Sequence, residues 1–453
     1  MSLTGTLGAA ASGLDSIAKQ LAVVSQNVAN ASTPGYTREV LPVQDAGVSG
    51  VALGVRTGPA SRSLDLALQS RLLESSAGVA AGKAHADALA GLDAASGKPG
   101  SGYDLPGLLG TLRDGLSTLA NDPANGTQQR QVVAQADGLA RGFNALGTAV
   151  SVARQSAQDG IVADADAANA ALRSIGTLSD QIIAAQARGD SIAGLEDARD
   201  GQVQIVGNLT GAQFLRQSNG DVLAVAGGVL LPLRGGSGPL VIQAATLLPN
   251  TPPSAVPHVT VGGVDITGSL TKGRIGANLA LRDKVLPGVQ AGLDGLAQGL
   301  ASGFAGAGLA LFTDPTGAVP SGPGSAQAIR VSDAVRATPS QLRDGTGPAG
   351  PAGNTALIHA LLDGPLHSGA GSLASQASSF TAGLAGNASA SAASLEVATA
   401  AQASLQAKLS AGSGVSVDQE LATMVRLQSA YAANAKVLGA ADSMLQTILG
   451  IVR

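Results

Sequence analysis

Residues 3–38 read LTGTLGAAASGLDSIAKQLAVVSQNVANASTPGYTR, and this stretch decides the fold. Leu7, Leu14, Leu21 and Val28 recur at every seventh position, with Leu3, Ala10, Ile17 and Val24 at the interleaved seam position. Such a row winds a helix left-handedly around a partner. A second seven-spaced row lies near the other terminus: Val417, Met424, Tyr431, Leu438, Leu445 and Val452. Its companion row (Leu421, Gln428, Ala435, Asp442, Leu449) is mixed, so the second helix is less purely apolar. At about 1.5 Å per residue the two helices span roughly 40 and 50 Å, lengths that allow them to pair with each other. Spacing alone fits equally well a core helix pair inside a globular domain.

The first helix must stop at Asn27-Val28-Ala29-Asn30-Ala31-Ser32-Thr33-Pro34-Gly35-Tyr36. Pro34 drives Thr33 out of the α region and Gly35 permits positive φ, which together make a tight turn. The pattern Asn-x-x-Asn-x-x-Thr-Pro-Gly-Tyr resembles the N-terminal signature of bacterial flagellar rod, hook and hook-associated proteins. The C-terminal run GVSVDQELATMVRLQSAYAANAKVL, with an acidic first turn and then Gln428, Ala430, Tyr431 and Ala433, resembles the matching half. Three internal segments narrow the likeness to the FlgK family. LRDGLSTLANDPANGTQQRQVVAQADGLARGFNALG is similar to that family's Asn-x-Pro break and long helix, and Leu195–Gly211 (LEDARDGQVQIVGNLTG) resembles its hand-over to a β-rich insert. RIGANLALRDKVLPGVQAGLDGLAQGLASGF, with Arg282-Asp283 before an apolar run, resembles its return helix.

Along the chain, residues 39–58 read as an extended arm, followed by a helix from Ser63 to Asp93. Asp104 opens another helix with Pro106 in its first turn and Leu108, Leu112, Leu116 and Leu119 on one face. From Thr127 a run of roughly 60 residues keeps heptad spacing, slips near Gly160 and resumes, which reads as a rod helix. After Gly211 the period changes to two, and Ser218-Asn219-Gly220 between apolar runs predicts a hairpin. Further strands are expected over 229–233, 240–242, 258–261 and 264–266, interrupted by the proline-rich 252–257. Arg274 opens the return helix, which Pro287 should kink. Residues 312–354 read as loops, with one extended segment at 329–331 and a collagen-like Gly347–Gly353. Ser375–Ser410 reads as a helix beside the rod, and Ser413-Gly414 as a hinge. The expected fold is mainly α with a β insert, an elongated multi-domain protein. Its parts are a discontinuous terminal coiled coil (1–38 and 415–453), a long-helix rod domain (39–200 and 272–414) and a small antiparallel β domain (201–271).

Composition excludes several functions. The chain of 453 residues has a net charge of −4 and only 13% charged residues, which argues against nucleic-acid binding as its main task. With no Cys there are no disulfides and no thiolate metal sites. Aromatics make up 2% while Gly numbers 62, so thin helices packed closely must replace large-ring cores. Before Leu21 no basic cluster precedes an unbroken apolar run, and no stretch of about 18 apolar residues occurs, so neither a secretory signal nor membrane insertion is expected. His85, His258, His359 and His367 lack ligand spacing, and no phosphate loop or nucleophile elbow appears. No catalytic, cofactor-binding or metal residue is assigned, and an enzyme is not expected.

What remains is assembly. The resemblance implies a structural subunit of the flagellum, exported without a cleaved signal, that polymerises at the distal end of the hook and forms the hook–filament junction. It implies self-assembly into a ring or tubular layer against the hook protein and a second junction protein or filament-side subunits. It also implies a cytoplasmic export chaperone at the C-terminal helix. The residues it assigns to subunit assembly are Leu7, Leu14, Leu21, Val28, Asn27, Asn30, Thr33, Pro34, Gly35 and Tyr36, with Val417, Leu421, Met424, Tyr431, Leu438, Leu445 and Leu449. Two other readings fit the residues: a hook or rod axial protein, and a surface binding or adhesin module on a coiled-coil stalk.

Overall fold

A computed structural model describes residues 3–33, 35–46, 54–98, 100–235, 240–345, 355–367, 369 and 371–451. Pro34, most of the arm between Val48 and Leu53, the collagen-like Gly347–Gly353 and Val452 lie outside the described residues, as do the side chains of Leu3 and Leu449.

The chain is mainly α with small antiparallel sheets. In order come α1 (Leu3–Asn30), the arm strands β1 (Glu39–Val40), β2 (Val43–Asp45), β3 (Val55–Thr57) and β4 (Ser61–Arg62), then α2 (Leu66–Ser96), α3 (Leu105–Asn121), α4 (Gly126–Arg188) and α5 (Ala193–Thr210). Strands β5 (Gln213–Arg216), β6 (Val222–Ala226), β7 (Val229–Leu231), β8 (Leu240–Val241), β9 (Thr260–Val261) and β10 (Val264–Asp265) follow. The return runs through α6 (Gly273–Ala280), a π-turn at Leu281–Val285 and α7 (Leu286–Gly306). Then come β11 (Phe312–Thr313), α8 (Ser325–Ala328), β12 (Arg330–Val331), α9 (Asp333–Ala337), α10 (Gln341–Asp344), α11 (Thr355–Asp363), α12 (Leu373–Ser413) and α13 (Val417–Ile451).

The heptad run after Thr127 is one helix of 63 residues, α4. Its start is set by Asn125, whose Oδ1 accepts the N–H groups of Thr127 and Gln128, both at 3.1 Å. The glycines let neighbours come close. A Cβ at Gly142 would lie 2.8 Å from Leu108 Cδ1, and one at Gly176 would lie 2.9 Å from the carbonyl carbon of Leu233. The kink expected from Pro287 takes the form of the π-turn: the Leu286 N–H reaches back to Leu281 O, just ahead of the residue that has no N–H to donate.

Two compact units divide the chain. The first holds residues 1–77, 167–239 and 399–453, and the second 78–166 and 240–398. Two sequence expectations are corrected here. Residues 201–271 are not one β domain: α5 continues to Thr210, and the strands form two separate sheets, β5–β6–β7 in the first unit and β8–β9–β10 in the second. The break falls after β7, where Pro232 has no N–H to give to a ladder; the prolines at 252, 253 and 257 lie in the connection between β8 and β9, which pair with each other. The terminal helices, in turn, cluster with β5–β7 and α5 instead of standing apart. Within the first sheet the expected hairpin is present, with Gly220 at φ +87° in its turn.

The second unit holds the largest core. Leu109, Leu112, Leu116 and Leu119 of α3 pack with Leu139, Phe143 and Leu146 of α4 and with Leu293, Leu300 and Phe304 of α7. The first part of α12 lies beside α4, as expected: Leu384 and Ala388 share a cluster with Val150 and Ala157. The segment read as loops contains β11 paired with β12 and three short helices, and it closes the core through Phe312, Ile329 and Leu342. Phe304 and Phe312 meet edge to face, with ring centroids 5.2 Å apart and planes at 84°. Because the chain has few large rings, this pair carries more of its core than usual. Phe304→Ala should lower stability by about 3–5 kcal/mol, read from urea unfolding of the full chain; a loss under about 1 kcal/mol would mean the core collapses around the gap.

Candidate assembly site at the terminal helix seam

All the residues of this site belong to the first unit. Helices α1 and α13 pack against each other antiparallel. Gly13 faces Asn434, with a Cβ at Gly13 placed 3.3 Å from Asn434 Nδ2, while fourteen residues further along α1 Asn27 reaches Glu420, fourteen residues back along α13. The separation is two heptads on each helix. On α1 the interleaved row Ala10, Ile17 and Val24 is buried, together with Ser16 and Asn27, whereas Leu7, Leu14, Leu21 and Val28 are half-buried.

On α13 the expected companion row is corrected. Met424, Leu438 and Leu445 are half-buried, but Val417 and Tyr431 of the same row are exposed, Leu421 is 46% exposed, and Gln428, Ala435 and Asp442 face outward. The true companion row is Glu420, Leu427, Asn434 and Ala441, with Glu420 and Ala441 buried. A heptad seam alternates steps of three and four. Here the step from Val417 is three, onto a row with two polar members: Glu420, which Asn27 and Arg38 satisfy, and Asn434, which lies opposite Gly13.

Asn27 is the centre of the site and is 1% exposed. Its Nδ2 donates to Glu39 O at 2.9 Å and to Glu420 Oε2 at 3.4 Å. Its Oδ1 accepts the Glu39 N–H at 2.9 Å and the Tyr36 hydroxyl at 2.8 Å. The carboxamide thus engages both backbone groups of Glu39, as a neighbouring strand would, and closes the loop from Val28 to Arg38. The Tyr36 hydroxyl is thus spent on Asn27 inside the fold. Asn30 Nδ2 donates to Gln26 O and its Oδ1 accepts from the Thr33 hydroxyl, and Gly35 takes the positive φ read for it, +81°.

Arg38 joins the loop to α13. Its Nε donates to Glu420 Oε1 at 2.7 Å, and its backbone N–H donates to Ser413 O at 3.0 Å. The loop is tied to α5 as well, because the Thr37 N–H donates to Asp197 Oδ2 at 3.0 Å. Arg62, opposite Glu39 in the β1–β4 ladder, is buried and serves three carboxylates: Glu196 at 2.9 Å, Asp197 at 2.8 Å and Asp200 at 2.7 Å. These acids occupy the first turns of α5, where they also face the positive end of its dipole.

Burial, reinforced by the charges of Glu39, Asp197 and Glu420, pushes the Tyr36 hydroxyl up to about 12. It therefore stays protonated and able to donate. Burial likewise raises Glu39, with Asp197 adding to the effect and Arg62 opposing it. Asp200 is held below the usual carboxylate range: burial works against its charge, but Arg62 and Arg216 outweigh it. Sequence reading missed Glu420, Arg38, Glu39 and Asp197. Glu420 alone had a signal, its seven-residue spacing from Leu427, Asn434 and Ala441.

Two outcomes follow from this geometry. Asn27→Asp keeps both acceptors but turns the donor toward Glu39 O and Glu420 into an oxygen, so amide exchange at Glu39 should speed up by at least about tenfold, read by hydrogen-exchange NMR or mass spectrometry. Glu39 has its pKa raised in the fold, so its contribution is intact below the ordinary value of 4.5 and is lost as pH rises through the raised value. Glu39→Gln should therefore be neutral to stabilising near pH 7, by up to about 1 kcal/mol, with the difference vanishing below that ordinary value. Melting curves across pH decide this; destabilisation at neutral pH would contradict it.

Among the described residues no group of His, Asp or Glu could hold a metal ion, and no helix is long and apolar enough to cross a membrane. Three family models match the chain. A flagella basal body rod protein model covers residues 7–37, the helical domain of flagellar hook-associated protein FlgK covers 92–307, and a flagellar basal body rod FlgEFG protein C-terminal model covers 406–451. No curated protein matches the chain. A solved flagellar hook junction protein FlgK from Burkholderia pseudomallei is 25% identical, with a TM-score of 0.45 over 55% of this chain. The chain spans 45% of that protein's length. A rod-type segment near each end and a FlgK-type helical domain over residues 92–307 make this a flagellar structural protein, similar in its middle to the FlgK hook-associated proteins.

Proposed function

We propose that the chain is the subunit that polymerises at the distal end of the flagellar hook and forms the hook–filament junction. The observation that carries this reading is the unspent apolar surface of α13. After α1 has covered its seam, Leu421 and Val425, four residues apart, are 46% and 62% exposed. On another flank Val437, Met444 and Ile448, at spacings of seven and four, remain 48%, 58% and 53% exposed. A two-helix unit with apolar side chains on two flanks is part of a larger bundle, and neighbouring copies in a ring or tubular layer supply the rest. In this reading the hook protein packs on one side of the layer and a second junction protein or filament-side subunit on the other. The same flanks would hold an export chaperone before the chain leaves the cell through the flagellar apparatus. The family is a structural one, and no enzymatic step is assigned.

The experiment is deletion of the gene followed by electron microscopy of the cell surface. Hooks without filaments support the reading. Intact filaments with lost adhesion would favour a stalked surface module, and loss of the hook itself would favour a rod or hook subunit. Complementation refines it: Leu421→Glu with Val425→Glu should melt within about 1 kcal/mol of the unaltered chain, since both side chains are exposed. It should nonetheless fail to restore filaments. Normal filaments with this double variant would remove the assembly role from that flank.

A further inference from the structure

The second unit contains a cavity of about 360 Å³ that the assembly reading does not use. Its walls are one face of α4 around Val150 and Arg154, one face of α7 around Gln290 and Ala291, and two loops that contribute Pro249, Pro252, Pro253 and Pro323. The lining is largely apolar, and the volume is that of a small-molecule pocket.

Arg154 makes this cavity unusual. The residue is 6% exposed, its Nε donates to Arg282 O at 2.9 Å and its Nη1 to Thr251 O at 2.8 Å. Both partners are carbonyls. Its Nη2 has no partner, and Arg154 forms no ion pair among the described residues. The nearby acids are already engaged. Asp283 is paired with Arg282 through both oxygens, and Asp294, also in the wall, accepts from Gln290 Nε2, Ala326 N and Gly324 N. Gln290, 7% exposed, is left with an unpartnered Oε1. Burial lowers the Arg154 pKa, with the Arg282 charge adding to the effect and Asp283 opposing it. A trapped water would satisfy the idle N–H groups but would add no charge, and Asp283, the acid that acts on Arg154, has both oxygens on Arg282, so two buried cations share one carboxylate.

We propose that this cavity binds a small carboxylate with an apolar body, the carboxylate pairing with Arg154 and the body lying against the proline-rich walls. Such a ligand supplies the missing anion and fills the void in one step. A donor on the same molecule, or a water carried with it, would meet Gln290 Oε1.

The test uses the full chain with 4-phenylbutyrate as the probe and 4-phenylbutanol as its uncharged counterpart, with binding followed by ligand-observed NMR and titration calorimetry. The carboxylate should bind at least about tenfold more tightly than the alcohol, a comparison that needs no variant. Arg154→Met should abolish that preference while leaving the alcohol unchanged. Ala291→Phe, at an exposed helix position on the cavity wall, should block both ligands without unfolding the chain. Equal affinity for acid and alcohol would show an apolar void only. No saturable binding of either would show a cavity that holds water only. Either result, or a carboxylate preference that survives Arg154→Met, overturns the proposal.

Discussion

A single buried carboxamide holds the first unit's termini together. Asn27 can donate twice and accept twice, and it uses both abilities on four partners at once: the two backbone groups of Glu39, the Tyr36 hydroxyl and Glu420. No other uncharged side chain of that size presents a donor and an acceptor side by side in this way except glutamine, whose extra methylene would shift both. Because Asn27 sits on α1 and its partners come from the loop, the arm and α13, one substitution there disturbs four elements. Glu420 gains a second anchor from Arg38, and the loop gains one from Asp197, so the clamp is continuous with the ion cluster around Arg62.

This arrangement explains why polar residues sit in a helix seam that apolar ones would fill more stably. Glu420 and Asn434 weaken the pairing of α1 with α13 but accept only one register, since only there do Asn27 and Gly13 lie opposite them. A subunit whose outward flanks must meet neighbours at fixed places needs a defined register more than it needs a tight pair. The apolar flanks of α13 are useful only if they are always displayed at the same angle to the rest of the unit.

Much of this was legible in the residues. Heptad spacing located α1, α4 and α13, and the Thr-Pro-Gly-Tyr run marked where α1 stops. Asn219-Gly220 placed the first hairpin. What was not legible depended on contacts distant in sequence. The companion row of α13 was misread because apolarity was the only guide, and Glu420 becomes a seam residue only when Asn27 and Arg38 are brought to it. The single β domain was an over-extension of period two past Pro232, where the first sheet ends and the strands beyond pair only among themselves. The Arg154 cavity had no signal at all: its walls come from four separated segments, and an arginine inside a helical heptad run reads as a solvated surface residue.

The register of the terminal helices is the central claim, and the absence of cysteine from the natural chain makes it directly measurable. Cysteines placed at Gly13 and Asn434 should form an intramolecular disulfide under mild oxidation in assembled flagella, since a side chain at Gly13 would already lie against Asn434. A control pair at Gly13 and Leu427, one heptad out of register, should stay reduced. Efficient cross-linking of the control, or of Gly13 to Asn434 only between different subunits, would contradict the account.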